Sequence, residues 1–371
     1  MKMRLGQMLF SLIGVAALAC SGRYEVGAMG DDLPSQDGEA ESLGRAGSGG
    51  GGGGSAGAEM GTECDNYPSD PPRIWVAPFA EPAVIWERIS LMVHGEVLAP
   101  PSTLPAVATS EWAGSIAVQA FNNSTQLPAG APLVRRYLTH ALRLDENSAL
   151  PDVWSPRISG DVTVLDVLYA MPLGQQGRVG ILSEPAWLAL HPRIVSRGVT
   201  ILGGVLNTPV PLPPPSVPTL DSDPSAAQGR TERQRIAQHR TDPSCAGCHS
   251  MIDPFGFALS HFDEVGVYQT SENGLAIDSS GTVMLRSDLQ PVQFSSIEDL
   301  GPQIAQSCTA RLAFADLNLT LALIAAGKLM QHEPIPDVWL PDRDRVRWAF
   351  VAGKSYPALV SAMAQTNPIL R

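Results

Sequence analysis

Apolar residues follow different rhythms along the chain. At the start, Lys2 and Arg4 stand before a mostly apolar run from Leu9 to Ala19. That is the layout of a secretory leader over residues 1–20, and the run is too short for a helix that stays in a membrane. From 21 to 63 the pattern disappears: the residues are polar and poor in aromatics, and they lead into Gly47-Ser48-Gly49-Gly50-Gly51-Gly52-Gly53-Gly54-Ser55. Such a segment has nothing with which to build a core and reads as a disordered tether, with an r.m.s. reach on the order of 35 to 40 Å.

A foldable pattern begins at Cys64. Pro82 suits a first helical position, and Ile85, Ile89, Met92 and Val93 follow at helical spacing. Trp112, Ile116 and Ala120 repeat the period, as do Leu133, Tyr137, Ala141 and Leu144. Residues 64–175 therefore predict a helical domain, without a nucleophile motif, a glycine-rich phosphate loop or a paired metal-ligand spacing, so its role is not legible. A further helix is predicted from Ile194 to Leu206, ending at the proline strap Pro209-Val210-Pro211-Leu212-Pro213-Pro214-Pro215, which is either a stiff connector or a recognition peptide. Arg230 to His239 reads as a charged helix. Turn residues around Gly274 to Val283 predict a short β-hairpin. The end is helical again: Ile304, Cys308, Leu312 and Ala315 share one face, followed by Leu317 to Leu329 and Tyr356 to Gln365. Leu319 to Ala326 is apolar but too short to span a membrane. The fold class predicted is mainly α, with a helical N-terminal domain (64–175), a middle domain (176–270) and a mostly helical C-terminal domain carrying the hairpin (271–371).

Charge narrows the partners. The formal charge is −12, and the leader carries two bases and no acid, so its removal leaves −14. Nucleic acid is an unsuitable partner for such a chain, which has no basic patch to displace counterions from phosphate. The leader closes on Ala17-Leu18-Ala19-Cys20-Ser21, which resembles a bacterial lipobox with alanine in place of the usual leucine. That predicts lipid on Cys20, the alternative being an ordinary leader cut near Ala19. Ser21, where an aspartate would favour the inner membrane, points to the outer membrane.

Five cysteines carry the remaining chemistry. Cys20 is the lipid candidate. Cys64 and Cys308 are either a disulfide, as an oxidising compartment permits, or two separate buried thiols. Cys245-Ala246-Gly247-Cys248-His249 is the pattern of covalent haem attachment. Thiols at i and i+3 of a helical turn reach two vinyl groups along one porphyrin edge, and the histidine after the second thiol reaches the iron. A dithiol redox pair, a Cys245–Cys248 disulfide, and a zinc site drawing on Cys245, Cys248, His249 and His239 are the competing readings.

In the haem reading, which takes one covalent haem c, His249 is the proximal ligand, its second nitrogen donating to a backbone carbonyl. The distal ligand stays open among Met284, His191, His239 and His261, with Met330 and Met363 also far enough along the chain. A methionine there raises the reduction potential relative to a second histidine, whereas an empty position admits small molecules. Asp253-Pro254 is expected to turn the chain back across the ring. Phe255, Phe257 and Phe262 are expected either to wall off the iron or simply to pack a core.

Around this motif the sequence resembles a family of uncharacterised secreted proteins with cytochrome-c-like domains, abundant in planctomycetes and myxobacteria. The resemblance rests on Gly180-Ile181-Leu182-Ser183-Glu184-Pro185-Ala186-Trp187-Leu188-Ala189-Leu190, the Arg197-Gly198 pair, the proline run and His239-Arg240. It continues through Pro243, the cysteine motif, Asp253-Pro254, Gly256-Phe257-Ala258, Phe262-Asp263 and Gly266, and more loosely through Ile277-Asp278-Ser279-Ser280-Gly281, Cys308 and Tyr356-Pro357-Ala358-Leu359-Val360. It spans about 176–371, and what it implies is a cytochrome c-like haem domain over 176–270 followed by a companion C-terminal domain over 271–371. The chain departs from that family where Val267-Tyr268-Gln269 replaces an arginine after Gly266, and where Val195-Ser196 replaces a Ser-Pro.

What the resemblance implies is an exported haem protein whose redox partner and substrate are not established. The function expected is single-electron transfer at the cell envelope with an unidentified redox partner protein, by a lipoprotein at the periplasmic or outer face of the outer membrane. An electron carrier is preferred to a catalytic oxidoreductase. The rivals are a peroxidase-like haem enzyme with an open distal site, and a non-catalytic surface scaffold.

Overall fold

Proline opens helices throughout this chain: Pro82, Pro132, Pro151, Pro185, Pro341, Pro357 and Pro368 each stand in the first two positions of one, where the missing N–H costs nothing. The computed structural model describes Cys64 and residues 78–371, apart from 128, 129, 146, 212–228, 242, 286 and 289. The leader, Cys20, the tether and the strap beyond Pro211 lie outside the described residues.

Helix α1 (Pro82–His94) buries Ile85, Ile89, Met92 and Val93 as its spacing requires, and stops at Gly95 in the left-handed region. Helix α2 (Ser110–Ser124) starts where Thr109 Oγ1 accepts from the Trp112 N–H at 3.1 Å. Its buried stripe is Ala113, Gly114, Ala117, Ala120 and Phe121, so Trp112 and Ile116, expected on the inner face, are only half-buried. Small residues won that face because the facing segment comes so close: a β-carbon on Gly114 would lie 2.3 Å from Gln365 Nε2. Helix α3 (Pro132–Ala141) buries Leu133, Tyr137 and Ala141, and α4 (Leu150–Ile158) follows.

Helix α5 (Pro185–Leu190) leads into α6 (Ile194–Thr200), which runs on as a π-helical turn through Val205 and so covers the predicted stretch. Helix α7 is Glu232–His239 and α8 is Pro243–Phe257. Pro254 lies inside α8, so the chain does not turn back at Asp253-Pro254 as expected. The helix tolerates the ring because the carbonyl it orphans, that of Ser250, belongs to an exposed residue that water can reach.

Two small antiparallel ribbons follow in place of the one predicted hairpin. Strands β1 (Ser271–Glu272) and β2 (Leu275–Ala276) flank Asn273-Gly274, both with positive φ, the geometry of a tight two-residue turn. Strands β3 (Gly281–Met284) and β4 (Pro291–Phe294) pair Gly281 with Phe294 and Met284 with Pro291.

Helix α9 (Ile297–Gln306) ends one residue before α10 (Cys308–Ala325), where Ser307 Oγ accepts from the Ala310 N–H at 3.0 Å. The face expected to be continuous through Ile304 and Cys308 is therefore split by a cap, although Ile304, Cys308, Leu312 and Ala315 are all buried. Helix α10 is long and apolar enough to cross a membrane by length and composition, yet two-thirds of it is buried among α1, α3 and α11 (Leu340–Gly353). Helices α12 (Tyr356–Ala364) and α13 (Asn367–Leu370) complete a predominantly helical architecture. One hydrophobic core runs from Ile85 to Leu370 and takes in residues from all three sequence segments. Cys64 and Cys308 form a disulfide that closes 244 residues of chain.

Candidate functional site

The cysteine motif occupies the first half of α8 and the core takes the second. Ile252, Phe255, Phe257, Ala258 and Leu259 are buried, whereas Cys245, Cys248 and His249 are half-buried and Gly247, Ser250 and Met251 exposed. Burying one such phenylalanine contributes about 2–3 kcal/mol, so the apolar end anchors the helix while the motif is held at the surface. Phe255 and Phe262 belong to the main core. Phe257 packs with Ile194 and Ile236 and lies under the Arg233 guanidinium, 4.2 Å from the ring centre.

Contact between α6 and α8 fixes where the motif sits. A β-carbon on Gly198 would lie 2.2 Å from the Ile252 carbonyl oxygen, and one on Gly256 would lie 2.0 Å from that of Ile194. The two glycines let the backbones touch at two points. Beside them Arg197, fully buried, donates from Nε to the His191 carbonyl (2.8 Å), from Nη1 to those of Leu259 (3.0 Å) and Phe262 (2.7 Å), and from Nη2 to that of Asp263 (2.7 Å). These include acceptors just past the C-terminal end of α8, where the helix dipole favours a cation. Burial pulls the Arg197 pKa down to about 10, which leaves it charged at neutral pH. A second arginine, Arg178, donates to the Ser183 and Gly266 carbonyls and lies over the Phe262 ring.

Within α8, His249 Nδ1 lies 2.8 Å from Oδ1 of Asp253, one helical turn on, and the Asp253 side chain is fully buried. The expected backbone-carbonyl partner is therefore replaced by a carboxylate. With Nδ1–H donating, the imidazole carries its lone pair on Nε2, the nitrogen an iron would take. Arg240 Nε approaches the other oxygen, Asp253 Oδ2, at 3.9 Å.

The distal candidates are scattered. His191 is buried, its Nε2–H donating to the Leu142 carbonyl at 3.0 Å and its Nδ1 3.4 Å from the Thr200 hydroxyl, so both nitrogens are committed. His261 donates from Nδ1 to the Gln269 carbonyl at 2.8 Å and stacks on Tyr268. Met284 and Met330 are exposed, and Met363 is fully buried in the core. The side chain of His239 lies outside what is described.

The donor set fits a haem better than a closed zinc site. Among the described residues, no three or more His, Cys, Asp or Glu side chains are grouped to hold a metal ion. A zinc site needs its donors to converge on one point. A haem takes the two sulfurs at its rim and only the imidazole at its iron, so a single donor suffices here. Sequence reasoning missed Arg178, and Asp253 as the partner of His249; it reached Arg197, Gly198 and Gly256 only through the resemblance, without a structural role for them. The i, i+4 spacing would have found Asp253 had the helix been carried past Pro254.

No curated protein matches the chain, and no solved structure does. Residues 178–272, less than half of the chain, match a family model described as PSCyt3, protein of unknown function (DUF1588), whose short name points to a cytochrome-like domain.

Proposed function

We propose that this protein is an exported one-electron carrier holding one haem c at Cys245, Cys248 and His249, and that lipid on Cys20 ties it to the outer membrane. The observation that carries the reading is the His249–Asp253 pair: an imidazole immediately behind two thiols at i and i+3 has its ring fixed by a buried carboxylate, the partner that orients metal-bound histidines elsewhere. The match of residues 178–272 supports a cytochrome-like domain in the same stretch.

When bound, the haem supplies a one-electron ferric/ferrous couple. The chain supplies the rest. Cys245 and Cys248 would hold the haem through thioether bonds to its two vinyl groups, an addition that would need no oxidant. His249 would hold the iron through Nε2, Asp253 holds its Nδ1–H, and the core-anchored end of α8 keeps both in place. The protein's electron donor and acceptor would be redox partner proteins outside the cytoplasm.

The full chain, expressed in a bacterium with haem-attachment machinery, is expected to stain for haem on a denaturing gel and to show a Soret band. The Cys245→Ala/Cys248→Ala double variant is expected to lose the stain. Wild-type protein that carries no covalent haem overturns the reading. The same carboxylate favours one second reading, a peroxidase-like enzyme, because an electron-rich proximal imidazole assists chemistry at an open sixth position. A Soret band unmoved by cyanide excludes the enzyme, and one that shifts favours it.

A further inference from the structure

Resting on the haem reading above, we propose that Asp253 is a positioning residue that keeps the reduction potential of that haem low. A backbone carbonyl accepting the Nδ1–H of a proximal histidine brings only a dipole. Here the acceptor is a full carboxylate at 2.8 Å, on a side chain that is entirely buried. In a low-dielectric setting a negative charge at that distance draws the Nδ1 proton toward itself and returns electron density to the ring. Ferric iron, carrying one more positive charge than ferrous, gains more from the richer ligand, so reduction becomes harder.

The pair is rigid as well as charged. Both residues lie on α8 one turn apart, that helix touches α6 at Gly198 and Gly256, and Arg197 ties down the chain just past its C-terminal end. Arg240 Nε stands 3.9 Å from Oδ2 and its side chain is one-third exposed, so it offsets only part of the charge. A merely structural aspartate would behave otherwise: its removal would cost stability and leave the potential where it was.

The test is spectroelectrochemical titration of the haem-loaded full chain, with haem content per chain measured alongside. Asp253→Asn keeps the shape and the acceptor oxygen but removes the charge. It is expected to load haem and to raise the potential by at least a tenfold change in the reduction equilibrium, about 59 mV for one electron, while Asp253→Glu stays closer to wild type. An Asn variant that loads haem at the wild-type potential overturns the proposal. Should the Asn variant fail to load, Arg240→Gln decides: with the carboxylate less offset, the potential is expected to fall, and an unchanged potential overturns the proposal. Wild-type protein without haem would instead sink the functional reading itself, a separate result.

Discussion

The Ile194 carbonyl oxygen and Gly256 are so close that a β-carbon on the glycine would lie 2.0 Å from that oxygen. Gly256 is helical, and replacing a helical glycine by alanine ordinarily gains about 1 kcal/mol. Here the sign reverses, because the clash is with backbone and only separation of α6 from α8 relieves it. Gly256→Ala is expected to destabilise by about 1–3 kcal/mol. Gly247, exposed on the same helix with nothing within 4 Å of an added β-carbon, provides the control. Gly247→Ala should be neutral or gain up to about 1 kcal/mol. Urea unfolding of the two variants checks the contrast, and equal effects would refute the contact.

Arg197 holds its neighbourhood by hydrogen bonds that no other side chain could supply together. A lysine keeps the charge but lacks the planar fork of five donors, so it can serve only one or two of the four carbonyls, of which those of Leu259 and Asp263 also accept the Phe262 and Gly266 N–H groups. Arg197→Lys is expected to cost about 1–3 kcal/mol, and to lower haem loading because the chain following α8 loses its tie to α6. Thermal unfolding monitored by circular dichroism measures the first, and pyridine haemochrome absorbance per chain the second.

How far the sequence revealed this site depended on distance along the chain. The spacing of Cys245, Cys248 and His249 is local chemistry and was legible from five residues. Ile85, Ile89, Met92 and Val93 announced α1 because a helix repeats its buried face every three or four residues. Asp253-Pro254 misled, since proline inside a helix is rare and the exposure of Ser250 that makes it tolerable is a tertiary fact. Arg197-Gly198 could be noticed only through resemblance: the carbonyls Arg197 serves lie up to 66 residues away, and the carbonyl against Gly198 belongs to another helix. The α9–α10 break at Ser307 was hidden because the apolar period carries across the cap unchanged.

His191 makes stability depend on pH in a definite direction. Burial holds its pKa below the ordinary value of about 6.5, so the ring stays neutral, donating from Nε2 to the Leu142 carbonyl and facing the Thr200 hydroxyl with Nδ1. Above about 6.5 neither the folded nor the unfolded ring is protonated and the site contributes no slope. As pH falls through that value, the unfolded chain takes up a proton that the folded site resists, so the unfolded state gains and stability drops. His94 and His140, also lowered by burial, add the same sign, while the buried carboxyls Glu232 and Asp342, whose pKa values are raised, oppose it lower in the range. The difference between wild type and His191→Gln isolates the one ring: Tm should fall less steeply for the variant between about pH 7 and pH 5. Parallel curves for the two proteins would show that His191 is not the neutral, doubly bonded ring described.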